Sequence, residues 1–264
     1  MLVRITQNYD EMSRLAARIV ANAARRKPDL RLGLATGETQ IGMYKDLVRM
    51  RREEGLDFSR VLTFNLDEYV GLPAGHPQSL RSFMFRTFFD HVNVAAANIH
   101  IPDGSVRRNF GEYCAQYEEE IRQAGGIDLQ ILGIGKDGHI GFNEPTSSLV
   151  SRTRVKTLTR QTIEANRRDF AAGEEVPAAA ITMGVGTILE ARRILLLASG
   201  AAKSKAVARA VEGAVSAAAT ASALQMHGNT TLIVDREAAA DLAHKDYYER
   251  AIEMTKRLTP ERLE

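Results

Sequence analysis

Apolar residues along the chain alternate between two spacings, one typical of buried strands and one typical of helices. The short run "LVRIT" near the start has the apolar, β-branched character of a strand. A helical stripe follows and ends before Pro28. The members of this stripe are Met12, Leu15, Ala16, Ile19, Val20 and Ala23. A strand followed by a helix is therefore the first predicted unit.

The same unit repeats through the rest of the chain. Predicted strands are Leu30–Ala35, Val61–Leu66, "LQILGIG", "RILLLAS" and "TLIVD". Predicted helices run from Gly37 to Gly55, from Ser79 to Val92, from Tyr113 to Arg122 and after Gly200, with further helices at the C-terminal end. This alternation indicates a mainly parallel sheet with helices on both faces, a modified Rossmann-like α/β fold. No linker or repeat divides the chain, so we expect one α/β domain over residues 1–264.

Composition narrows the class of protein. Of the 264 residues, 44% are apolar, which is ample for a packed core. The net charge of +2 comes from dispersed charges, so neither a nucleic-acid-binding stripe nor an acidic tail is expected, and the partner should be a small molecule. The single Cys114 excludes an internal disulfide. Because the sequence shows neither a signal peptide nor a membrane span, we expect a cytoplasmic protein.

In parallel sheets ligands bind beyond the carboxyl ends of the strands, so the loops that follow strands are the candidate sites. The loop from Thr36 to Thr39 offers backbone N–H groups and hydroxyls at a helix N-terminus, where a phosphate would fit. Thr39 as a plain helix cap is an equal alternative. The carboxylate of Glu38 is unfavourable to an anion unless it turns away.

Two acidic residues, Asp67 and Glu68, directly follow the predicted strand Val61–Leu66. A carboxylate beside apolar walls can have its pKa tuned to take and return a carbon-bound proton. Helix capping or a solvated turn is the competing interpretation, and the pair alone favours it.

The loop "GKDGHIGFNEP" follows the strand "LQILGIG" and holds three residues that can carry protons. Asp137 is close enough in sequence to fix the tautomer of His139, and Glu144 can support the pair. The glycines of the loop permit the turns that such convergence requires. A surface histidine in a flexible loop is the alternative. No second histidine lies at ligand spacing, so we expect no metal site.

Two basic residues are candidate phosphate ligands. Arg168 would bind a phosphate through its planar fork, and Lys203 would act as a point charge near a helix start. Taken alone, each is more simply a solvated surface charge.

Several motifs together resemble the glucosamine-6-phosphate deaminase family. They are "LGLATGET", "FNLDEYVGL", "LGIGKDGHIGFNEPTSSLVSRTRVKTLT", "ITMGVGTILEA" and "SALQMHGN", in the order and spacing of that family. The related 6-phosphogluconolactonases share the fold and an Asp-Gly-His element, but they typically continue differently after the histidine. The continuation "IGFNEP" favours the deaminase, and a lactonase or a non-catalytic sugar-phosphate-binding regulator is the alternative.

The resemblance implies conversion of glucosamine 6-phosphate and water to fructose 6-phosphate and ammonia, without a metal or an organic cofactor. From their positions in the matching motifs, the resemblance implies that Asp67 moves the proton from C2 to C1 and that His139 opens the sugar ring. Asp137 and Glu144 would hold and polarise that histidine. The phosphate would bind to Arg168, Lys203 and the loop of Thr36, Gly37, Glu38 and Thr39, in which Glu38 and Gln40 depart from the small residue and the proline usual there.

The resemblance also bears on assembly and regulation. Some family members are hexamers activated by N-acetylglucosamine 6-phosphate bound between subunits. The residues that match this effector site are Ser147, Arg154, Lys156, Thr157 and Tyr247. A structural role for "SRTRVKT" in an unregulated relative fits equally well.

Overall fold

The fold was analysed in a computed structural model, which describes residues 1–260. Its strands are β1 (Leu2–Thr6), β2 (Arg31–Leu34), β3 (Leu62–Asn65), β4 (Asp67–Tyr69), β5 (Ile99–His100), β6 (Leu129–Leu132), β7 (Arg154–Thr157), β8 (Ala179–Thr182), β9 (Ile194–Ala198) and β10 (Thr230–Asp235). Its helices are α1 (Tyr9–Arg26), α2 (Glu38–Glu53), α3 (Leu80–Thr87), α4 (Phe110–Gln123), α5 (Arg160–Asn166), α6 (Val185–Leu189), α7 (Ser204–Val211) and α8 (Lys245–Leu258). Short 3-10 turns lie at Phe89–His91, Ala96–Asn98, Arg167–Asp169, Ala201–Lys203 and Thr220–Met226.

Seven strands form one parallel sheet in the order β1, β10, β9, β6, β2, β3, β5. Alternate residues of β9 show how the sheet is covered. Leu195 and Leu197 pack in a cluster with α1, α2 and α3, whereas Ile194 and Leu196 pack in a second cluster with α4 and α7. Both faces are therefore buried, as apolar runs without alternation predict. The predicted mainly parallel sheet with helices on both faces is confirmed.

A second, antiparallel sheet of three strands was not predicted. It has the order β4, β8, β7, and its own small core contains Tyr69, Phe142 and Phe170. A single residue, Leu66, separates the end of β3 in the large sheet from the start of β4 in the small one. The chain thus passes from one sheet to the other at the predicted catalytic carboxylate.

Other element predictions need smaller corrections. The helix predicted from Ser79 to Val92 ends at Thr87 and continues as a 3-10 turn, because the backbone of Phe88 departs from helical geometry. Between β10 and residue 260 the structure has one α-helix, α8, where several helices were expected. No helix in residues 1–260 combines the length and the apolar character needed to cross a membrane. The expectation of one domain over residues 1–264 stays a prediction, and its last four residues lie outside the described range.

Candidate active site

The four candidate loops meet at one edge of the large sheet. The Thr36–Thr39 loop follows β2, Asp67 follows β3, the 135–145 loop follows β6, and Lys203 follows β9. Because these strands are neighbours and parallel, their carboxyl ends lie side by side.

Asp67 lies at the passage between the two sheets and is only 6% exposed. It is the register partner of Thr182 on β8. Burial, with the neighbouring charge of Glu68, raises the pKa of the Asp67 carboxyl from 3.8 to about 7. Such a pKa suits a group that must take up and release a proton near neutral pH.

Glu68 has a different role from its neighbour. Its carboxylate accepts hydrogen bonds from the backbone N–H groups of Leu80 (2.9 Å) and Arg81 (2.8 Å) at the start of α3, and from that of Tyr69 (2.8 Å). The helix-capping alternative is therefore correct for Glu68. Both residues lie in a strand, so the solvated-turn alternative is wrong.

The 135–145 loop folds back on itself and brings its three ionisable residues together. The backbone N–H of Gly135 donates to the carbonyl of His139 at 2.8 Å. The Nδ1 atom of His139 lies 2.7 Å from Oδ1 of Asp137 and 3.7 Å from Oε2 of Glu144. Partial burial raises the pKa of Asp137, but hydrogen bonding with His139 and its charge outweigh this and hold that pKa below its usual value.

Glu144 is the most deeply buried of the three, at 1% exposure. Its Oε1 accepts hydrogen bonds from the N–H (3.0 Å) and the hydroxyl (3.3 Å) of Thr159, the residue that caps α5. Its Oε2 has no hydrogen-bond partner among residues 1–260 and is the oxygen nearer His139. Glu144 thus joins the start of α5 to the histidine.

Gly141 connects the histidine loop to Asp67. Its backbone has φ +56°, and a Cβ placed there would lie 3.5 Å from Oδ2 of Asp67 and 3.0 Å from Oγ1 of Thr182. The Asp67 carboxylate therefore lies against the same loop that carries His139. Thr182 also accepts a hydrogen bond from the N–H of Phe142 at 3.1 Å. Sequence reasoning did not identify Thr182 or Thr159, although both lie in motifs that carry the family resemblance.

Gly135 provides a test of the histidine's position. A Cβ at this residue would lie 2.4 Å from Cε1 of His139, so Gly135→Ala must displace the imidazole. We expect kcat/KM to fall by at least about tenfold, because misplaced proton-transfer groups lose much of their effect. Steady-state kinetics measures this. In the control Gly111→Ala, on α4, the new Cβ meets nothing within 4 Å, and activity should be unchanged. Full activity in Gly135→Ala would contradict the geometry.

The predicted phosphate ligands surround the beginning of α2. The N-cap residue of α2 is Gly37, which has no side chain to cap the helix, so the alternative of a Thr39 cap is wrong. Lys203 donates to the carbonyl of Ile134 at 2.6 Å. Burial lowers the pKa of the Lys203 ammonium, Lys136 lowers it further, and the carboxylates of Asp137 and Glu38 oppose this. Arg168 is 65% exposed and its Nη2 lies 2.9 Å from Oε2 of Glu38, which is 74% exposed.

Asp137, His139 and Glu144 also form a group whose ligand atoms lie within 4.8 Å of one another. The 2.7 Å contact between His139 Nδ1 and Asp137 Oδ1 is shorter than the roughly 3 Å that separates two ligands bonded to one metal at about 2.1 Å. The spacing of these two atoms therefore does not fit two ligands of one metal ion.

The predicted effector residues lie on separate elements. Arg154, Lys156 and Thr157 lie on β7, the outer strand of the small sheet. Arg154 donates to Oδ1 of the buried Asn143 at 2.8 Å, and Ser147 is itself buried. Tyr247 is exposed on α8, which packs on β1 at the edge of the large sheet.

Comparison with known proteins shows the same family over most of the chain. The model of the family described as glucosamine-6-phosphate isomerases/6-phosphogluconolactonase matches residues 6–233. A glucosamine-6-phosphate deaminase of Thermoanaerobacter sp. (strain X514) is 51% identical over 249 residues, covering 94% of this chain and 98% of the relative. One of Shewanella loihica is 49% identical over 263 residues, covering 100% of this chain and 97% of the relative.

Two solved structures are similar to this chain over most of its length. A monomeric glucosamine-6-phosphate deaminase superposes with a TM-score of 0.89 at 45% identity, covering 91% of this chain and 100% of the other. A 6-phosphogluconolactonase from Trypanosoma brucei has a TM-score of 0.71 at 19% identity, with 92% and 98% covered, and shares the fold. The chain belongs to the glucosamine-6-phosphate isomerase/6-phosphogluconolactonase family.

Proposed function

We propose that this chain is a glucosamine-6-phosphate deaminase, which converts glucosamine 6-phosphate and water to fructose 6-phosphate and ammonia. Relatives of about half identity over nearly the full length have this activity in their names. The observation that carries the proposal is the buried Asp67 carboxylate, with its pKa near 7, against the loop of His139. An aldose-to-ketose conversion needs one base at the carbon acid and a separate proton carrier at the ring oxygen.

The first step assigned to this site is ring opening. The C1–O5 bond breaks while O5 gains a proton and the C1 hydroxyl loses one, which gives the open-chain aldehyde. His139 carries this proton, and its imidazole is held by Asp137 at 2.7 Å. Oε2 of Glu144 lies 3.7 Å from the same ring nitrogen, so two carboxylates hold the orientation of the imidazole.

The second step is proton transfer between carbons. The Asp67 carboxylate removes the C2 proton, and the electrons of that bond form the double bond between C1 and C2. The electrons of the C1=O π bond move to O1, which takes back the proton that the C1 hydroxyl lost on ring opening, and an enolamine results. The same carboxyl returns the proton to C1 while the nitrogen lone pair forms the C2=N bond, which leaves an iminium group at C2. Water adds to C2, a proton passes from the added oxygen to the nitrogen, ammonia departs as the C2–N bond breaks, and loss of the remaining hydroxyl proton leaves the ketone of fructose 6-phosphate. One carboxyl with a pKa of about 7 serves both directions of this transfer.

The proposal predicts a specific pH dependence. Asp67 must be ionised to remove the C2 proton, so kcat/KM should rise about tenfold per pH unit below about pH 7 and level off above it. An initial-rate series from pH 5 to 8.5 measures the profile. In Asp67→Glu the midpoint should move because the carboxyl changes its surroundings. A flat profile over this range would remove Asp67 as the base.

Stoichiometric formation of ammonia and fructose 6-phosphate from glucosamine 6-phosphate tests the activity itself. A folded sample that hydrolyses 6-phosphogluconolactone without releasing ammonia would support the lactonase alternative. We also propose that the phosphate binds to Arg168, to Lys203, and to the backbone N–H groups and threonine hydroxyls of the Thr36–Thr39 loop.

The proposal extends to the metabolic role, the cellular location and the regulation of the enzyme. We place it in amino-sugar breakdown in the cytoplasm, downstream of N-acetylglucosamine. Ser147, Arg154, Lys156, Thr157 and Tyr247 are the proposed effector residues. Tyr247 lies on α8, which packs on the edge of the large sheet, whereas β7 belongs to the small sheet. We therefore propose that an effector contacting both would bind between subunits of an oligomer. A sigmoidal rate curve relieved by N-acetylglucosamine 6-phosphate supports this, and a hyperbolic curve unaffected by it contradicts it.

A further inference from the structure

We propose that Glu38 is an internal competitor of the substrate's phosphate, occupying Arg168 in the free enzyme and leaving it when a sugar phosphate binds. The inference rests on the proposed function, because it assumes that Arg168 binds the phosphate. It assigns to Glu38 a part in setting substrate affinity and in selecting phosphorylated sugars.

The first observation is the ion pair itself. Nη2 of Arg168 lies 2.9 Å from Oε2 of Glu38, and this contact joins the first residue of α2 to the 3-10 turn after α5. Both charges also act on the ammonium of Lys203. An anion bound between Arg168 and Lys203 would therefore lie in the field of the Glu38 carboxylate.

The second observation is that only the side chain of Glu38 is free to move. Its carbonyl accepts a hydrogen bond from the hydroxyl of Tyr9 at 3.1 Å, and that hydroxyl in turn accepts one from the N–H of Gly42 at 2.7 Å. Gln40, two residues on, is fully buried. The backbone of the loop is thus fixed, while the carboxylate is exposed and can rotate away.

The relative strengths of the ion pair with Glu38 and of the contact with phosphate decide which anion binds to Arg168. An exposed ion pair is weak, and its loss changes an equilibrium by only a few fold. A phosphate dianion can accept two parallel hydrogen bonds from a guanidinium, which is stronger. The phosphate therefore displaces Glu38, but it binds less tightly than it would if Arg168 had no carboxylate partner. A sugar without a phosphate offers nothing to displace the carboxylate.

Replacement of Glu38 by glutamine keeps the shape and removes the charge. In Glu38→Gln we expect the KM for glucosamine 6-phosphate and the inhibition constant of inorganic phosphate to fall together, by about twofold to fivefold. Glu164→Gln is the matched control, because Glu164 is an exposed partner of the adjacent Arg167 at 3.7 Å, and both constants should be unchanged there.

A double variant separates competition for Arg168 from a general effect of charge. In the Arg168→Ala background, Glu38→Gln should give a clearly smaller gain in phosphate affinity than it gives in the wild-type background, because only the field of the carboxylate is then removed. A full gain in that background, or a Glu38→Gln protein whose phosphate affinity is unchanged or weaker, overturns the inference. Calorimetric titration with inorganic phosphate needs no turnover. Absence of ammonia from the wild-type protein would therefore refute the proposed function, while the titrations would still decide the role of Glu38.

Discussion

Asp67→Asn is expected to reduce kcat by at least about a thousandfold while the binding of fructose 6-phosphate stays within about twofold. A positioned general base contributes on the order of a hundredfold to ten-thousandfold, and here one carboxyl acts at both carbons. The amide has nearly the same shape and cannot accept the C2 proton. Rates of ammonia release and calorimetric binding measure the two quantities. Near-normal turnover in this variant would remove Asp67 from the mechanism.

The same variant should be more stable than the wild-type protein at alkaline pH. Because the pKa of Asp67 is raised from 3.8 to about 7, the folded protein holds this proton more tightly than the unfolded chain. The stability of the wild-type protein therefore falls as pH rises from about 4 to 7, and above pH 7 the full cost in free energy of unfolding is reached. At about 1.4 kcal/mol per pKa unit, the upper limit of this cost is about 4 kcal/mol.

Thermal unfolding at two pH values checks this prediction. Asp67→Asn should raise Tm at pH 8 relative to the wild type, and this gain should vanish near pH 4. Asp57→Asn is a control of opposite sign, because hydrogen bonds from Asn93 and Ser59 lower the pKa of Asp57. That variant should lower Tm at pH 8. Equal Tm differences for Asp67→Asn at both pH values would contradict the linkage.

His139→Gln is expected to damage ring opening more than the later proton transfer. We expect a loss of at least about a hundredfold in kcat/KM with glucosamine 6-phosphate. With a 5-deoxy analogue, which lacks the ring oxygen and cannot form the six-membered ring, the loss should be less than about tenfold. The reason is that in the proposed mechanism His139 serves the ring oxygen, whereas Asp67 serves C2 and C1.

Asp67→Asn is the matched control for this experiment, since it should be equally inactive with both substrates. Asp137→Asn should reproduce the His139→Gln pattern in weaker form, because it removes the charge that holds the imidazole at 2.7 Å. Equal losses with both substrates in His139→Gln would contradict the assigned role.

Most of the parallel sheet could be predicted because its central strands are short, apolar and buried on both faces, whereas the two-residue edge strand β5 was not predicted. β9 and β10 are buried along their whole length and correspond to "RILLLAS" and "TLIVD". The small sheet could not be predicted from such a pattern. β7 (Arg154–Thr157) is half-exposed and charged, and the three residues of β4 include two acids. Their strand conformation comes from pairing with β8, which local preference does not reveal.

Part of the candidate site could also be predicted from the sequence, and part could not. Asp137, His139 and Glu144 are close in sequence, and their convergence follows from one glycine-rich loop. The opposite roles of Asp67 and Glu68 depend on which of two adjacent carboxylates reaches the N-terminus of α3. The contact between Glu38 and Arg168 spans 130 positions, and local pattern carries no information about it.

The passage of the chain from β3 to β4 has a consequence for the order in which the protein assembles. Asp67 is fixed between a strand that pairs with β2, nearby in sequence, and a strand that pairs with β8, far along the chain. Closing such a long loop is slow compared with local pairing. The Asp67 carboxylate is therefore held in place only after β8 has been synthesised and has joined the small sheet. An intermediate that contains only the first half of the large sheet would leave Asp67 hydrated, with the ordinary acidity of an aspartate.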